Sequence, residues 1–560
     1  MPDSRIDRKA AFPALIAVLA AVCCVFSACR GTDENPGAQS ALPPADTAEN
    51  AQASAAPDAD GGTERDSSDD GRVSFGDSTA IFKTRTERNK KSSEDLGLCL
   101  AYRGVELPKA GNTYSLPIGD GFTPEDLLEL SPGGEELRMM LDGHIRKSGI
   151  DALLRHGTAE ELLVYTDTEY VTLELVFTTL PVLSADIKRG SISGADKKCS
   201  FSLWEARGRD LKRVDSPATI KVRGASSASL AKSGLKISLK DGAGEPNKVS
   251  LLGMRKDDDW ILYASYSDYA HVRDEVGWRL WRRMTEALGL TPSGALETRY
   301  VELILGGTYD GFYLFMERMD EKKLSLDAER GDSLFKCVSW DIPESARLRS
   351  QAPRSASYSS IEKKFPDPAD RIDGSWENIA DFVALAYEAS GEEFAAKIEE
   401  VADRKNMLAY WLFLNLSMAA DNTWKNTYYA TIDGKMYAFP WDLDITFGLG
   451  WNGDLANNYL WEQPGMAERT YDFQAGRRML KYIGSCLGEV REMYYSLKDA
   501  GIAGADAMIA DAEEIWDLLH NSGAWARNLA RWPNGNNTDS LDYFKETVVT
   551  RERWLEDYLG

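Results

Sequence analysis

The residues best suited to chemistry lie between Asp421 and Asp442. Asp421 begins a D-x-x-x-x-N segment that ends at Asn426, and Asp442 follows in the string Pro-Trp-Asp-Leu-Asp. A loop aspartate can orient an attacking hydroxyl and accept its proton, while an asparagine and a second aspartate can ligate Mg²⁺ beside nucleotide phosphates. This order of residues therefore indicates phosphoryl transfer.

Other interpretations of the same carboxylates stay open. Asp442 and Asp444 could mark a solvated strand end, and Asn426 could be an ordinary turn residue. The two aspartates could also form a glycosidase pair, since residues two apart on a strand share a face. A glycosidase, however, needs carboxyl groups on opposite sides of a sugar, about 5–9 Å apart, and Asp421 would then have no role.

Local patterns predict the elements that position these residues. Apolar spacing predicts a helix from Arg404 to about Ala420, on which Leu408, Trp411 and Leu412 share a face. A tight hairpin follows over residues 428–439, with Asp433-Gly434 at its turn. The end of the helix would place Asp421, and the end of the hairpin would place Asp442.

The preceding section predicts strands, one helix and a second hairpin. Alternating runs at 218–223, 235–240 and 260–263 read as strands, and Asp268 is a candidate cap for a helix from about Tyr269 to Leu288. The chain becomes mainly helical from Trp376. A strand-rich section followed by a helix-rich section predicts an α+β protein with two lobes.

Composition excludes some classes of function. The chain has 560 residues, 89 acidic against 65 basic side chains and a net charge of −24, so a nucleic-acid partner is not expected. The four histidines have no spacing suited to zinc. Chemistry must depend mainly on carboxylates, amides and lysines.

The N-terminus predicts export. A basic start precedes an apolar run from Ala10 to Val25, which ends in Phe26-Ser27-Ala28-Cys29. This string resembles a lipobox, so we expect lipidation of Cys29 and a membrane-anchored lipoprotein in the cell envelope, on its periplasmic or surface side. An uncleaved anchor or an ordinary secretory signal would still export the body. Export permits disulfides, but the sequence does not pair Cys99, Cys199, Cys337 and Cys486.

These motifs together resemble the CotH family, the spore coat protein H group of atypical protein kinases. The resemblance covers roughly residues 180–555, and its most specific part is Pro-Trp-Asp-x-Asp-x-x-Phe-Gly at 440–448. The other matching segments follow in family order: Ile220–Gly224, Ser226–Ser227, Lys232–Leu239, Trp260–Leu262 with Asp268 and Arg273, Val301–Leu303, Tyr313–Glu317, Phe365–Asp367 and Asp421–Asn426.

The resemblance implies roles for individual residues. Asp421 matches the catalytic aspartate, and the metal ligands match Asn426 and Asp442, with Asp444 as a possible helper. Lys232 matches the lysine of the second strand segment and is the first choice for a phosphate contact, with Lys236 as the fallback on the same face.

It also suggests a wider nucleotide site. Arg223 and the Ser226-Ser227 loop would cover the phosphates, and Glu317 would fall where a kinase-like hinge meets adenine. Glu275 is one possible acidic partner for the lysine.

The resulting hypothesis is an extracytoplasmic kinase with two lobes, a β-rich N-lobe and a helical C-lobe. It would use ATP with Mg²⁺ or Mn²⁺ to phosphorylate Ser or Thr of envelope or coat proteins. The alternative is a catalytically silent surface adhesion or assembly lipoprotein of the same fold, because ATP is scarce outside the cytoplasm.

The predicted domain organisation has five parts. These are a signal peptide at 1–29, a disordered tether at 30–94, a β-rich unit at 95–215, an N-lobe at 216–320 and a C-lobe at 321–560. Within the β-rich unit, residues 125–154 have helical spacing.

Overall fold

The fold was analysed in a computed structural model that describes eight stretches of the chain. They are residues 73–93, 98–133, 136–188, 190–224, 226–268, 270–450, 470–533 and 540–560. The predicted signal peptide and Cys29 lie outside the described residues. Within these stretches, no helix combines the length and the apolar character needed to cross a bilayer.

The first described section is a mixed sheet with short helices. Seven strands run in the order β1-β8-β9-β10-β6-β5, with β2 beside β10, and β4-β3-β7 form a smaller sheet. Its strands are β1 Val73–Gly76, β2 Asn89–Lys90, β3 Ala101–Tyr102, β4 Val105–Glu106, β5 Lys109–Ala110, β6 Thr113–Pro117, β7 Leu130–Ser131, β8 Arg138–Asp142, β9 Glu160–Tyr165 and β10 Glu169–Thr178. Its helices are α1 Ser78–Thr86, α2 His144–Ser148 and α3 Ile150–His156.

The second section is a closed barrel of seven strands. Their order is β11-β12-β13-β14-β17-β19-β18, and parallel pairing of β11 with β18 closes the barrel. The strands are β11 Val182–Asp186, β12 Lys197–Arg207, β13 Asp210–Arg223, β14 Gly234–Leu239, β17 Asp259–Tyr263, β18 Thr298–Leu305 and β19 Thr308–Met316, with a small ribbon of β15 Val249–Ser250 and β16 Lys256–Asp257. Helix α4, Arg273–Ala287, lies between β17 and β18 in sequence.

The third section combines a five-stranded sheet with most of the helices. The strand order is β21-β22-β20-β23-β24, with β20 Ser333–Cys337, β21 Ser357–Tyr358, β22 Ile361–Phe365, β23 Thr427–Ile432 and β24 Lys435–Pro440. The helices are α5 Glu321–Leu324, α6 Ser345–Arg349, α7 Glu377–Val383, α8 Gly391–Val401, α9 Arg404–Ser417, α10 Gln474–Tyr482, α11 Cys486–Asp499, α12 Ala505–Asn521, α13 Ala524–Arg531 and α14 Asp542–Leu559. The fold class is therefore α+β, as the order of elements predicted.

Helix α9 is the buried centre of this section. Asp403 caps it by accepting a hydrogen bond from the backbone N–H of Asn406 at 2.8 Å. All its residues from Asn406 to Ser417 are buried, as expected of a helix that is apolar on every side. It ends at Met418, whose φ of 53° is left-handed. The predicted helix and the following hairpin are both present.

The structure corrects two predicted boundaries and one element. The predicted tether at 30–94 is wrong for its last part, because strand β1, Val73–Gly76, pairs with β8. The predicted boundary at residue 215 falls inside β13, which cannot be divided there because its residues 210–220 pair without a break with β12. The helical spacing of residues 125–154 is interrupted by strand β8, which pairs with β9.

Two further findings concern the predicted C-lobe and the cysteines, whose pairing the sequence left open. Residues 321–560 contain a complete sheet, so this part is not purely helical. The four cysteines among the described residues, Cys99, Cys199, Cys337 and Cys486, are free thiols.

Candidate active site

Asp421 lies on a buried turn directly after α9. The turn spans Ala420–Asn422, and Asp421 is 9% exposed. Its Oδ2 accepts hydrogen bonds from Lys425 Nζ at 2.6 Å and from Asn426 Nδ2 at 2.9 Å. The first and last residues of the D-x-x-x-x-N segment are therefore in contact, and Lys425 adds a charge that sequence reasoning did not use.

Asn422 joins this loop to the segment that carries Asp442. Its Nδ2 donates to the carbonyl oxygens of Asn426 at 3.0 Å and of Trp441 at 2.6 Å. Its side chain is fully buried, so these two bonds fix the distance between the loop and Trp441. The catalytic-loop candidate and the Pro-Trp-Asp-Leu-Asp string are thus held side by side.

Asp442 stands just beyond the end of β24, in a left-handed backbone conformation with φ of 62°. Such a φ is uncommon for a residue other than glycine and is often found at functional sites. Tyr263 on β17 donates its hydroxyl hydrogen bond to Asp442 Oδ1. The backbone N–H of Leu443 donates to Asp274 Oδ1 at 3.0 Å, which ties the segment to α4.

Several carboxylates influence one another here. Burial, followed by the charges of Asp442, Asp421 and Asp268, raises the pKa of Asp444 to about 8. Burial and the charges of Asp444 and Asp442 raise the pKa of Asp274 well above its usual value. Mutual repulsion of this kind is relieved by protonation or by a cation.

The donor types fit a hard divalent cation. Carboxylate and amide oxygens are the ligands that Mg²⁺ and Mn²⁺ prefer. Asp274 Oδ2 and Asn422 Oδ1 are buried and have no hydrogen-bond partner among the described residues. No group of three or more His, Cys, Asp or Glu side chains in the described part of the chain is already arranged as a metal-ligand set. The chemistry of the donors fits the metal, while a closed ligand set is not preformed.

A cavity rich in cations adjoins Asp442. We call it the cationic cleft; it lies between the barrel and the five-stranded sheet. Its lining includes Arg223, Lys236, Arg318, Lys336, Lys364, Tyr428 and Trp441, with the acids Asp320 and Glu321. In a protein of net charge −24, five cations around one cavity favour an anionic ligand.

Two of these cations flank the ring of Trp441. The Arg223 guanidinium lies 5.2 Å from the ring centroid and Lys336 Nζ lies 5.4 Å from it. Among the described residues, neither has a carboxylate within 4.0 Å. Burial, followed by the nearby charge of Arg223, lowers the pKa of Lys336 to about 8. Sequence reasoning missed Lys336, although a single lysine in the apolar strand Ser-Leu-Phe-Lys-Cys was a usable signal.

Lys236 and Lys232 occupy different cavities. Lys236 Nζ lies 3.0 Å from Asp259 Oδ1 and lines the cationic cleft. Lys232 precedes β14 and lines a second cavity, which also contains Arg223, Asp442 and Asp444. The expectation that both lysines share one strand face is wrong, because β14 begins only at Gly234.

The ammonium group of Lys232 is already bonded inside the protein. Nζ donates to the carbonyl oxygen of Phe312 and, at 2.9 Å, to Asn528 Oδ1 on α13. Burial lowers the pKa of Lys232 to about 7. Glu275 is not its partner, because Glu275 binds Arg279, Arg282 and Thr298 instead. A phosphate contact by Lys232 stays a prediction.

The loop after Arg223 lies beside the metal-site candidates. Gly224 has φ of 113°, and a Cβ there would lie 2.3 Å from Ser227 Oγ, so the tight turn requires glycine. Gly224 and Ser227 line the same cavity as Asp442. This placement agrees with a loop that covers phosphates, and Arg223 borders both cavities.

Glu317 is not brought to either cavity. Its Oε2 accepts a hydrogen bond from Lys323 Nζ at 2.6 Å and another from the backbone N–H of Glu297 at 3.1 Å. The carboxylate is thus engaged within the fold, whereas the neighbouring Arg318 and Met319 line the cationic cleft. The predicted adenine contact of Glu317 has no support from its side-chain position.

Carboxylates on one side and unpaired cations on the other form an arrangement typical of phosphate-transferring proteins. Residues 220–487 match the family described as CotH kinase protein. Over this segment, which is just under half of the chain, the protein is similar to the CotH family. A comparison with curated proteins found no match.

Proposed function

We propose that the protein is an atypical protein kinase, which transfers the γ-phosphoryl group of Mg-ATP to Ser or Thr of envelope or coat proteins. The observation that carries this proposal is the contact between Asp421 and Asn426 next to Asp442, beside a cleft with unpaired cations. The match of residues 220–487 to the CotH kinase family supports the same reaction class. In this proposal the barrel acts as the N-lobe and residues 321–560 as the C-lobe.

The cations would bind the nucleotide phosphates. Arg223 and Lys336 have no competing carboxylate within 4.0 Å among the described residues, so their charge is available to an anion. Lys236 adds a third positive charge from β14, although it shares Asp259. Asn426, Asp442 and Asp444 would hold Mg²⁺, which when bound neutralises developing charge on the phosphates.

Asp421 would accept the proton of the attacking hydroxyl. Both of its donors, Lys425 and Asn426, bind Oδ2, and no described residue donates to Oδ1. That oxygen is therefore the one suited to a substrate hydroxyl. Lys425 orients the carboxylate before the substrate arrives.

The test is phosphorylation by the full chain with labelled ATP and Mg²⁺ or Mn²⁺. We expect label on added protein substrate with the wild type and a loss of at least about 100-fold with Asp442→Ala, since electrostatic groups at phosphoryl-transfer sites contribute effects of this order. Lys212→Gln, an exposed change on β13, is the matched control. Equal labelling by wild type and Asp442→Ala would exclude the mechanism.

Nucleotide binding is measured separately. Mg-ATP should raise the melting temperature of the wild type, because a ligand that binds only the folded state stabilises it. The rise should shrink in Lys336→Ala and in Asp442→Asn. No rise at all would favour the silent adhesion or assembly protein.

We further propose that lipid on Cys29 anchors the protein to the cell envelope. The supporting observation is the lipobox-like string that follows an apolar run of signal-peptide length. Cells fed labelled fatty acid should incorporate label into the wild type and not into Cys29→Ala. Cys99→Ala is the control, and label that persists in Cys29→Ala would reject the anchor.

A further inference from the structure

A second cavity of different character opens where β11 ends, β12 begins and β14 ends. We call it the barrel-mouth cavity. It shares no lining residue with the cationic cleft or with the cavity of Asp442 and Asp444. Its lining is contributed by Asp186, Lys188, residues 197–200, residues 217–219 and residues 240–244. Neither the sequence motifs nor the proposed kinase reaction gives this cavity a role.

The floor of the barrel-mouth cavity is apolar. Cys199 and Ala218 are directly opposite each other on β12 and β13. Because side chains alternate along a strand, Cys199 shares its face with Phe201 and Leu203, which are buried in the core of the barrel. Burial raises the pKa of the Cys199 thiol to about 11, so it behaves as an apolar group.

The rim is positive. Lys188, Lys197, Lys198 and Lys240 all line the cavity, and their alkyl stems extend its apolar wall. Within the described ranges, none of the four ammonium groups has a carboxylate within 4.0 Å, whereas Lys221 close by pairs with Asp196 at 3.2 Å.

The two acids of the lining do not cancel this charge. Asp241 Oδ1 accepts hydrogen bonds from the backbone N–H groups of Ala243 and Glu245, both at 2.9 Å, and so serves its own turn. Asp186 lies across β11 and β12 from Ser200. Four lysines against two aspartates leave a local excess of positive charge in an acidic protein.

We propose that the barrel-mouth cavity binds a small anionic amphiphile. Its carboxylate or phosphate head would lie among the rim lysines, and its short apolar body would lie on the floor formed by Cys199 and Ala218. A charged head alone would leave the apolar floor exposed to water, and an uncharged apolar molecule would leave the lysines without a counter-charge. The site is independent of phosphoryl transfer.

The test uses the full chain and follows alkylation of Cys199 by iodoacetamide, resolved by mass spectrometry. The probes are octanoate, octyl phosphate, octanol and inorganic phosphate. We expect octanoate or octyl phosphate to slow alkylation of Cys199 about tenfold at ten times the Kd, since the free fraction falls by that factor. The exposed Cys99, which lies outside the cavity, should react at an unchanged rate.

Variants test the role of charge. Lys188→Gln/Lys198→Gln/Lys240→Gln should abolish the protection. Lys212→Gln on β13 is the control and should behave as the wild type. Protection by octanol equal to that by octyl phosphate, protection by inorganic phosphate alone, or full protection in the triple variant would each overturn the proposal. Absence of protection by both amphiphiles would do the same, whatever the kinase assay shows.

Discussion

Lys232 carries a buried ammonium group whose two acceptors, the Phe312 carbonyl and the Asn528 amide oxygen, are both uncharged. Among the described residues, the charge of Asp310 opposes the effect of burial on its pKa. A lysine in this position destabilises the folded protein at neutral pH, because the charged form has lost its water without gaining a carboxylate.

This position should therefore make stability depend on pH. The folded pKa is about 7, whereas an unfolded lysine titrates near 10.4. Between these values the unfolded chain binds more protons, so this lysine makes stability rise with pH. Lys232→Met should be more stable than the wild type at pH 7, by an amount on the order of 4 kcal/mol, and this advantage should vanish towards pH 10.

Melting temperatures of both proteins from pH 6.5 to 10 would check the prediction. Lys212→Met, at an exposed site on β13, should keep the pH slope of the wild type. If the melting temperatures of Lys232→Met and of the wild type changed with pH in parallel, the lowered pKa assigned to Lys232 would be wrong.

For individual residues, the sequence indicated the candidate carboxylates of the site better than its cations. Asp421, Asn426 and Asp442 were found because their spacing is specific to a loop followed by a hairpin. Lys336 was not, since its partner Trp441 is 105 positions away and no local pattern joins them. Glu317 was expected to contact adenine at a cavity. Sequence patterns place the end of a strand only to within about two to four residues, and the neighbouring Arg318 and Met319 line the cationic cleft instead.

Among the elements, the loop at 420–426 and the β23–β24 hairpin act as one unit. Thr427 is the residue opposite Pro440 in the hairpin register, and Asn422 supplies the bonds between loop and strand end. The hairpin could be predicted from its Asp433-Gly434 turn. The rest of its sheet could not, because β20 and β23 are joined only by distant pairs such as Ser333 with Thr431.

Removing the Asn422 side chain should loosen this unit. Asn422→Ala loses two buried hydrogen bonds and leaves the Trp441 carbonyl without its donor, so we expect a destabilisation of about 1–3 kcal/mol. The kcat should fall because Asp421 and Asp442 are no longer held in register. Mg-ATP affinity should change less, since Arg223 and Lys336 do not depend on Asn422.

Urea unfolding and steady-state kinetics on the same samples would separate the two effects. Asn378→Ala is a suitable control, because Asn378 also donates to a backbone carbonyl, that of Gly331, but from an exposed position. A variant with wild-type kcat would show that the loop keeps its position without Asn422.

On the scale of the whole molecule, helix α13 connects parts that are far apart in sequence. Arg527 donates to Glu302 of the barrel at 2.7 and 3.0 Å, and Glu302 is 3% exposed. Burial would raise the pKa of Glu302, but the charge and hydrogen bonds of Arg527 outweigh it and lower the pKa.

Breaking this pair should be costly. Arg527→Ala leaves a buried carboxylate without its cation and should destabilise the protein by about 3–5 kcal/mol. Arg527→Met combined with Glu302→Gln removes both charges and should recover much of that loss. Urea denaturation of the three proteins checks this, and an Arg527→Ala variant as stable as wild type would contradict the assigned burial of the pair.

The fold class could be predicted from the sequence, but the division into domains could not. The order of strand-rich and helix-rich sections predicted the α+β class. Closure of the barrel depends on the parallel pairing of Val182 with Glu302, 120 positions apart. The predicted division at residue 215 therefore separated β11, β12 and part of β13 from the barrel to which they belong.

Helix α13 also has a consequence for the order of biosynthesis. Gly157 and Gly523 meet so closely that a Cβ at Gly157 would lie 2.7 Å from the Gly523 carbonyl oxygen, and five residues later Asn528 reaches Lys232. Because translation starts at the N-terminus, all residues of the barrel are synthesised before Asn528. Until translation passes that codon, Lys232 lacks one of its two acceptors.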